Sequence, residues 1–568
     1  MKSIFRNENA FVKSRFCEFI FPIVHFLLSF IYERRIFIFK NNFDFVPTQA
    51  LNNCVSDSFE LAIGYCFSKL FGGIFILLLW HLLFVIVLQR IKPHIIVIFG
   101  LLFLVGLAGV LILWPIFTWD SIDTYMVYAY AIRFVPEYWH SFFSGCIIAG
   151  CLMVFPHVLI IVVLEWFFFC FSLGYIFFRI DSSPVIRSGW KYSVFLILFT
   201  PNLIRYLTDP FRPEIYAIIA VLYFGLIFID IIEKKKRSRF RLIIPLCLAT
   251  FLTVFRREGL VWAPPSFIAA YVFAYRDGFK KAVSHAILFV ACLLLFIFPG
   301  KIGEKKYYGN DYVLITTFDV AADILNNPKG NFNYDSFEDD LEIVDKVLPL
   351  PILKQYGIDG FRMHNYASGR KDFNQSATPS SDATAYRKAY LRLVIHNIPT
   401  YLKHQYYLLS KALAINSNVE INTYKGEDLH YPSYSYDLWK IGVNDYYSST
   451  TTLNWANNAT HLNIAFSFLD QLEKYRNFWY DSNLIAIFNI GAVVVNILIV
   501  LLYIINCIVT KKPELGPIIL GMSLLCLFFG VALTMPTFYS SYFRAYYYCT
   551  FIYIILFIPT FKTIKKRS

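Results

Sequence analysis

Apolar runs of about 20 residues recur along this chain, and each is long enough as a helix to cross a hydrocarbon core of about 30 Å. They include Phe71–Gln89, Ile95–Phe117, Val158–Phe178, Pro213–Ile232, Ala282–Pro299, Leu484–Ile505, Pro517–Met535 and Ala545–Phe561. One such run could be a signal anchor. This many cannot be, and no small-residue cleavage site follows the first apolar stretch. Only 16% of the residues are charged and 57% are hydrophobic, whereas a soluble domain carries about 25% charged residues. The expectation is an all-α polytopic membrane protein.

The formal net charge is +13, from 52 Lys and Arg against 39 Asp and Glu. In a soluble protein that excess would point to nucleic acid. Here it sits in short links between apolar runs, where the positive-inside rule puts it, so no nucleic-acid partner is expected. Lys234, Lys235, Lys236, Arg237, Arg239 and Arg241 form one cluster, and Lys562, Lys565, Lys566 and Arg567 another. With both placed on the cytoplasmic side, the spans alternate without a forced step. Weaker spans near Phe16–Ile31, Trp190–Ile204, Leu242–Phe255 and Val261–Tyr275 bring the expectation to about 11–12 transmembrane helices. Phe16–Ile31 either crosses or lies in the interface, because Glu33, Arg34 and Arg35 follow it closely.

Three regions result. Residues 1–299 are expected to form an N-terminal transmembrane bundle with a first outer loop at 117–157, and residues 482–568 a set of C-terminal transmembrane helices. Residues 300–481 form one large extracytoplasmic insert, mixed or mainly helical. Within it Asp382–Ile415 reads as two helices. Leu391, Val394 and Ile395 recur at helical spacing, and Pro399 suits the first turn of the second helix. None of the eleven cysteines lies in the insert, so no disulfide framework is expected there. Cys54 and Cys66 could pair outside the membrane, while the cysteines in or beside apolar runs read as packing residues.

Phosphate-loop, dinucleotide, zinc-protease and Cys-x-x-Cys motifs are absent. What stands out is where the ionisable residues lie. Asp120 and Asp123 follow directly on a span and, three residues apart, share one face of a helical turn. At a bilayer boundary such carboxylates can act as a general base for a hydroxyl or hold a divalent cation, Mg or Mn. The plainer reading is a solvated loop start with a helix cap. Arg256, Arg257 and Glu258, followed by Gly259, interrupt two apolar stretches with almost no linker. Burying one such charge mid-bilayer costs about 2.5–3.5 kcal/mol on insertion scales. Three together must face a cavity, a partner or the outer interface. Guanidinium is the natural fork for phosphate oxygens, and the alternative is a tight turn closed by an internal Arg–Glu pair. Arg205, Asp209, Arg212 and Glu214 form another charged link. Arg544 sits at the mouth of the last span, where Tyr542, Tyr546 and Tyr547 read as an interfacial belt. His140 ends an aromatic stretch in the first outer loop, and on the residues alone it is a surface or packing histidine. Glu165 lies inside an apolar run.

A span followed at once by an outer loop opening with Asp-Ser, then the Trp139-His140 turn, resembles the polytopic membrane glycosyltransferases of the GT-C superfamily. The Arg256–Gly259 turn is similar to a later outer loop of that clan, and Arg544 to the arginine of its motif ahead of the final span. The likeness covers roughly 95–300, 382–415 and 530–560 and is nearest to an uncharacterised bacterial branch. This chain departs from the pattern in spacing its two acids three apart and in reading Phe-Arg-Ala-Tyr around Arg544.

The resemblance implies an inverting transferase that moves a sugar from a polyprenyl-phosphate donor to a cell-envelope glycan, lipid or protein acceptor at the outer face of a membrane, in bacteria the inner (plasma) membrane. Asp120, with Asp123 second, would be catalytic and would hold a divalent cation if one is used. His140, Arg212, Arg256, Arg257, Glu258 and Arg544 would bind substrate. The expectation adds a groove at which Asp120, Arg256 or Arg257, and Arg544 converge. A polymerase or ligase of lipid-linked oligosaccharides shares the architecture and needs no acid in the first loop. A transporter or flippase of envelope lipids would place charges near the midplane and show paired repeats, which are not visible here.

Overall fold

The structure is a computed structural model describing residues 8–36, 58–87, 92–113, 127–128, 130–132, 134, 141–183, 192, 195, 197–200, 212–233, 239–275, 279–307, 311–326, 337–347, 349–351, 379–415, 459–511, 515–535 and 543–554. Among these residues helix dominates and no strand occurs. Six helices are long and apolar enough to cross a membrane: Phe59–Val85, Pro93–Leu113, Leu159–Asp181, Arg212–Glu233, Leu484–Thr510 and Leu515–Thr534. Five shorter apolar helices accompany them, at Cys17–Ile31, Phe142–Val154, Leu242–Phe255, Gly259–Phe273 and Ala286–Ile297. The chain divides into two compact units, residues 1–225 with 422–477, and residues 226–421 with 478–568.

In the first unit α1 (Glu8–Ile36) and α2 (Ser58–Val87) pair antiparallel. A run of polar contacts along their seam sets the register. His81 meets Glu18 at 2.9 Å, Trp80 donates to His25 Nδ1 at 3.1 Å, and Lys69 donates to Ser29 at 2.9 Å. Lys69 also forms a buried ion pair with Glu33, to which Tyr65 donates at 3.1 Å. An ammonium inside an apolar helix is costly unless it is paired and shielded. Here the carboxylate pairs it, and the Phe30 ring lies 3.5 Å from the nitrogen. This is why the apolar helix begins well before Phe71, where the sequence suggests its start. α1 thus lies along α2 rather than away from it.

Glycine contacts bring further helices close. α4 (Phe142–Val154) meets α2 where a Cβ on Gly150 would lie 2.8 Å from the Gly72 nitrogen. α3 (Pro93–Leu113) and α5 (Leu159–Asp181) run antiparallel, with Trp166 over Gly106, Phe99 over Gly174 and Lys92 bonded to Asp181 at 2.6 Å. Small residues let helix backbones approach closely. α4 departs from expectation, since it falls inside the proposed outer loop 117–157. Every one of its residues is buried, and 13 residues make a helix of only about 20 Å. Of the span expected at Trp190–Ile204, the described residues 192, 195 and 197–199 form 3₁₀ turns rather than α-helix. α6 (Arg212–Glu233) begins in the first unit, with Gly225 against Ile176.

The second unit is built on a helical hairpin, α7 (Arg239–Phe255) and α8 (Gly259–Ala270), continued by a π turn at Tyr271–Tyr275. α9 (Phe279–Tyr307) runs through Pro299 to Tyr307 and packs on α7. α10 (Asp311–Asn326), α11 (Glu338–Val347), α12 (Ser380–His396) and α13 (Ile398–Ala412) form the insert's part of this unit. Asp382–Ile415 does form two helices, and Pro399 lies in the first turn of the second. α14 (Ala459–Asp481) belongs to the first unit up to Asn477, and after it Asn483, with a left-handed φ of 56°, turns the chain into α15 (Leu484–Thr510). An asparagine tolerates that conformation better than a larger residue. α16 (Leu515–Thr534) and α17 (544–554) complete the unit.

The helix ends of this unit sort into two levels. At one, a Cβ on Gly516 would meet Ile231 and Phe273, and Tyr553 donates to the Pro517 carbonyl at 2.9 Å. At the other, Gly530 faces Val261, Tyr401 donates to the Leu533 carbonyl at 2.6 Å, and Asn489 donates to the Leu413 carbonyl at 3.4 Å. α13 therefore docks where α16 ends and α15 begins.

Candidate functional site

The turn between α7 and α8 holds three of the expected binding residues. Three backbone bonds close it, from Gly259 to the Arg256 carbonyl at 3.0 Å, from Leu260 to Arg257 at 3.1 Å and from Val261 to Glu258 at 3.2 Å. A Cβ on Gly259 would lie 1.7 Å from the Leu252 carbonyl oxygen, so no larger residue fits. The Arg256 fork is spent inside the turn, with Nη2 at 2.7 Å and Nε at 3.3 Å from the two Glu258 oxygens. Its side chain is 3% exposed. Of the two readings open in the sequence, the internal Arg–Glu pair describes Arg256 and Glu258. Arg257 points outward and is exposed.

Arg544 opens α17 and is 1% exposed. Phe543 lies 5.2 Å and Tyr546 5.0 Å from Phe528 of α16, so aromatic rings bracket the arginine along the chain. Tyr546 and Tyr547 are 0% and 1% exposed, which corrects their reading as an interfacial belt. They face the protein, where Asn496 donates to the Tyr546 hydroxyl at 3.4 Å. Tyr542 lies outside the described residues.

The two arginine positions meet the same stretch of α16. Gly530 faces Val261, just past the Arg256–Gly259 turn, and Phe528 carries the rings on either side of Arg544. Both lie at the end of α16 where α13 docks. Arg212 begins α6 in the first unit, half-buried, and its Nε is buried with no hydrogen-bond partner among the described residues. Glu214 beside it is fully buried. Asp120, Asp123 and His140 lie outside the described residues, as do Arg205, Asp209 and His364. Among the described residues no group of three or more His, Cys, Asp or Glu could hold a metal. Cys66 is a free thiol, and Cys54 is outside the described residues.

A second polar centre lies in the insert. Asp323 of α10 meets His404 Nδ1 at 3.0 Å, and His404 is 3% exposed. Thr400, Gln405 and Asp319 are buried beside it in sequence on the same two helices. The four-residue spacing of Asp319 and Asp323 was a readable signal, but the histidine lies 81 positions away. Elsewhere in the insert Arg392 grips Asp340 with both sides of its fork, and Tyr386 and Thr317 share a hydrogen bond of 2.9 Å. Burial pushes the Tyr386 phenol well up, against the opposing pull of that bond.

Comparisons of the chain with protein-family models, with curated proteins and with solved structures found no match in any of the three.

Proposed function

We propose that this chain is a multi-pass integral membrane protein of about 11–12 spans that transfers a sugar from a polyprenyl-phosphate donor to an envelope glycan, lipid or protein. The observation that carries the reading is the gathering of the Arg256–Gly259 turn and Arg544 along residues 528–530 of α16, at the end where the insert docks. Cations at one end of an apolar helix bundle suit a donor whose phosphate sits at the bilayer surface while its chain stays in lipid. The GT-C resemblance supplies the chemistry.

A base takes the proton of the acceptor hydroxyl. The oxygen then forms its bond to the anomeric carbon from the face opposite the phosphate, and the phosphate departs with the bonding pair, inverting the centre. Asp120 is the base in this scheme, and Asp123 positions the acceptor. Arg257 and Arg544 hold the departing phosphate, while Arg256 and Glu258 brace the turn that presents Arg257.

The test is sugar transfer by purified full-length protein in lipid, from a polyprenyl-phosphate sugar, with a nucleotide sugar as control. Asp120→Asn keeps size and most hydrogen bonding but removes the base. The expected loss is about 10²–10⁴-fold in rate. Transfer at the undiminished rate would show that Asp120 is not the base, and use of the nucleotide sugar alone would remove the reading.

A further inference from the structure

The first half of the second insert helix buries polar side chains and exposes apolar ones, while Leu408 and Ala412 are buried further along. The inward face of α13 carries Thr400, His404 and Gln405, which are 1%, 3% and 5% exposed. Its outward face carries Ile398, Leu402 and Tyr406, which are 48%, 50% and 61% exposed. α12 continues the outward set with Leu391 at 56% and Ile395 at 54%. From 391 to 406 the exposed apolar residues step by three or four, the spacing of one helical stripe carried across the break at Asn397.

We infer that this outward stripe of α12 and α13 is immersed in the outer leaflet of an anionic lipid bilayer. The inference rests on the membrane reading proposed above. Two further observations select lipid as the occupant. The stripe is continuous with apolar helices, because Tyr401 bonds the Leu533 carbonyl at the end of α16 and Asn489 of α15 bonds the Leu413 carbonyl. Phe529 and Leu533 of α16 are exposed too, at 49% and 44%, near the end of the helix where Tyr401 bonds. The charge pattern also fits. From residue 383 to 415 there is no Asp or Glu, while Arg387, Lys388, Lys403 and Lys411 are present besides Arg392, which Asp340 of α11 holds. Lys403 is exposed, and Lys411 covers the Tyr407 ring at 4.5 Å. An apolar face flanked by basic and tyrosine side chains is the pattern of a helix lying in the interface of an anionic membrane.

The experiment uses wild-type full-length protein in nanodiscs of phosphatidylcholine and phosphatidylglycerol carrying a trace of diazirine-tagged phospholipid. Photolysis is followed by tryptic peptide mass spectrometry, with a water-soluble diazirine in a parallel sample. Peptides 393–403 and 404–411 are expected to carry at least about tenfold more lipid adduct than α11, whose surface is charged. Leu402→Glu with Tyr406→Glu should reduce that signal severalfold while α15 labelling stays unchanged. Lipid adducts on α15 but none on 393–411 would overturn the inference alone. Absence of lipid adducts from α15 as well would overturn the membrane reading and the inference together. Protection of 393–411 from both reagents would mean that protein covers the stripe, and that too would overturn the inference.

Discussion

Adjacent arginines in one turn have different work. Arg256 is locked to Glu258 inside the turn, and Arg257 is exposed. Arg256→Ala should therefore lower thermal stability, because a carboxylate only 17% exposed loses its partner. Arg257→Lys should leave stability alone and raise the KM for a phosphate donor, since the charge stays but the bidentate fork is lost. Unfolding midpoints and transfer kinetics on the two variants separate the roles; a stability loss for Arg257→Lys with unchanged KM would reverse the assignment. Gly259→Ala is the severest change at this scale. Its Cβ would press on the Leu252 carbonyl at 1.7 Å, and overpacking of this kind costs typically about 1–3 kcal/mol or more. The expected readout is a clear drop in the unfolding temperature of the detergent-solubilised protein.

Among the elements, the α1–α2 pair and the insert make separate predictions. Lys69 and Glu33 are each 8% exposed. Lys69→Met should destabilise by about 3–5 kcal/mol, because it strands a buried carboxylate. Adding Glu33→Gln should recover much of that loss, and thermal unfolding of the single and double variants would show it. In the insert, burial raises the phenols of Tyr386 and Tyr390 above their ordinary value. The unfolded chain then ionises first as pH rises. The stability these groups contribute is full below about pH 10 and is lost above it. Near-UV circular dichroism across that range should show α10–α12 loosening, and Tyr386→Phe should blunt the change.

Much of the helix plan was readable from residues, and the exceptions have physical causes. Long apolar runs such as Leu484–Ile505 and the break before Pro399 announce themselves through length and helix-start chemistry. α4 does not, because 13 apolar residues between polar neighbours read as loop until Gly150 is seen against Gly72. Lys69 hid the first half of α2, since a lysine ends an apolar run unless its partner 36 positions earlier is known. At the candidate site the residue types were legible but their pairings were not. Arg256 and Arg257 look alike in sequence, and only the geometry of the turn assigns one of them to Glu258. The inverted face of α13 escaped for a similar reason, because helical spacing gives the stripe without telling which side is buried.

For the whole molecule, sidedness decides the proposed function. Ile231, Phe273, Gly516 and Tyr553 fall at one level of the second unit, while the arginine turn, the mouth of α17 and the docked insert helix fall at the other. A membrane enzyme acting on a lipid-linked phosphate needs that separation, and a bundle with charges on both levels at random would not provide it. The most direct measurement places topology reporters, one per protein, after Lys235, Arg257, His364 and Lys566 in the membrane of intact cells. The expected result is Arg257 and His364 on one side and Lys235 and Lys566 on the other. Arg257 and Lys235 on the same side would contradict it.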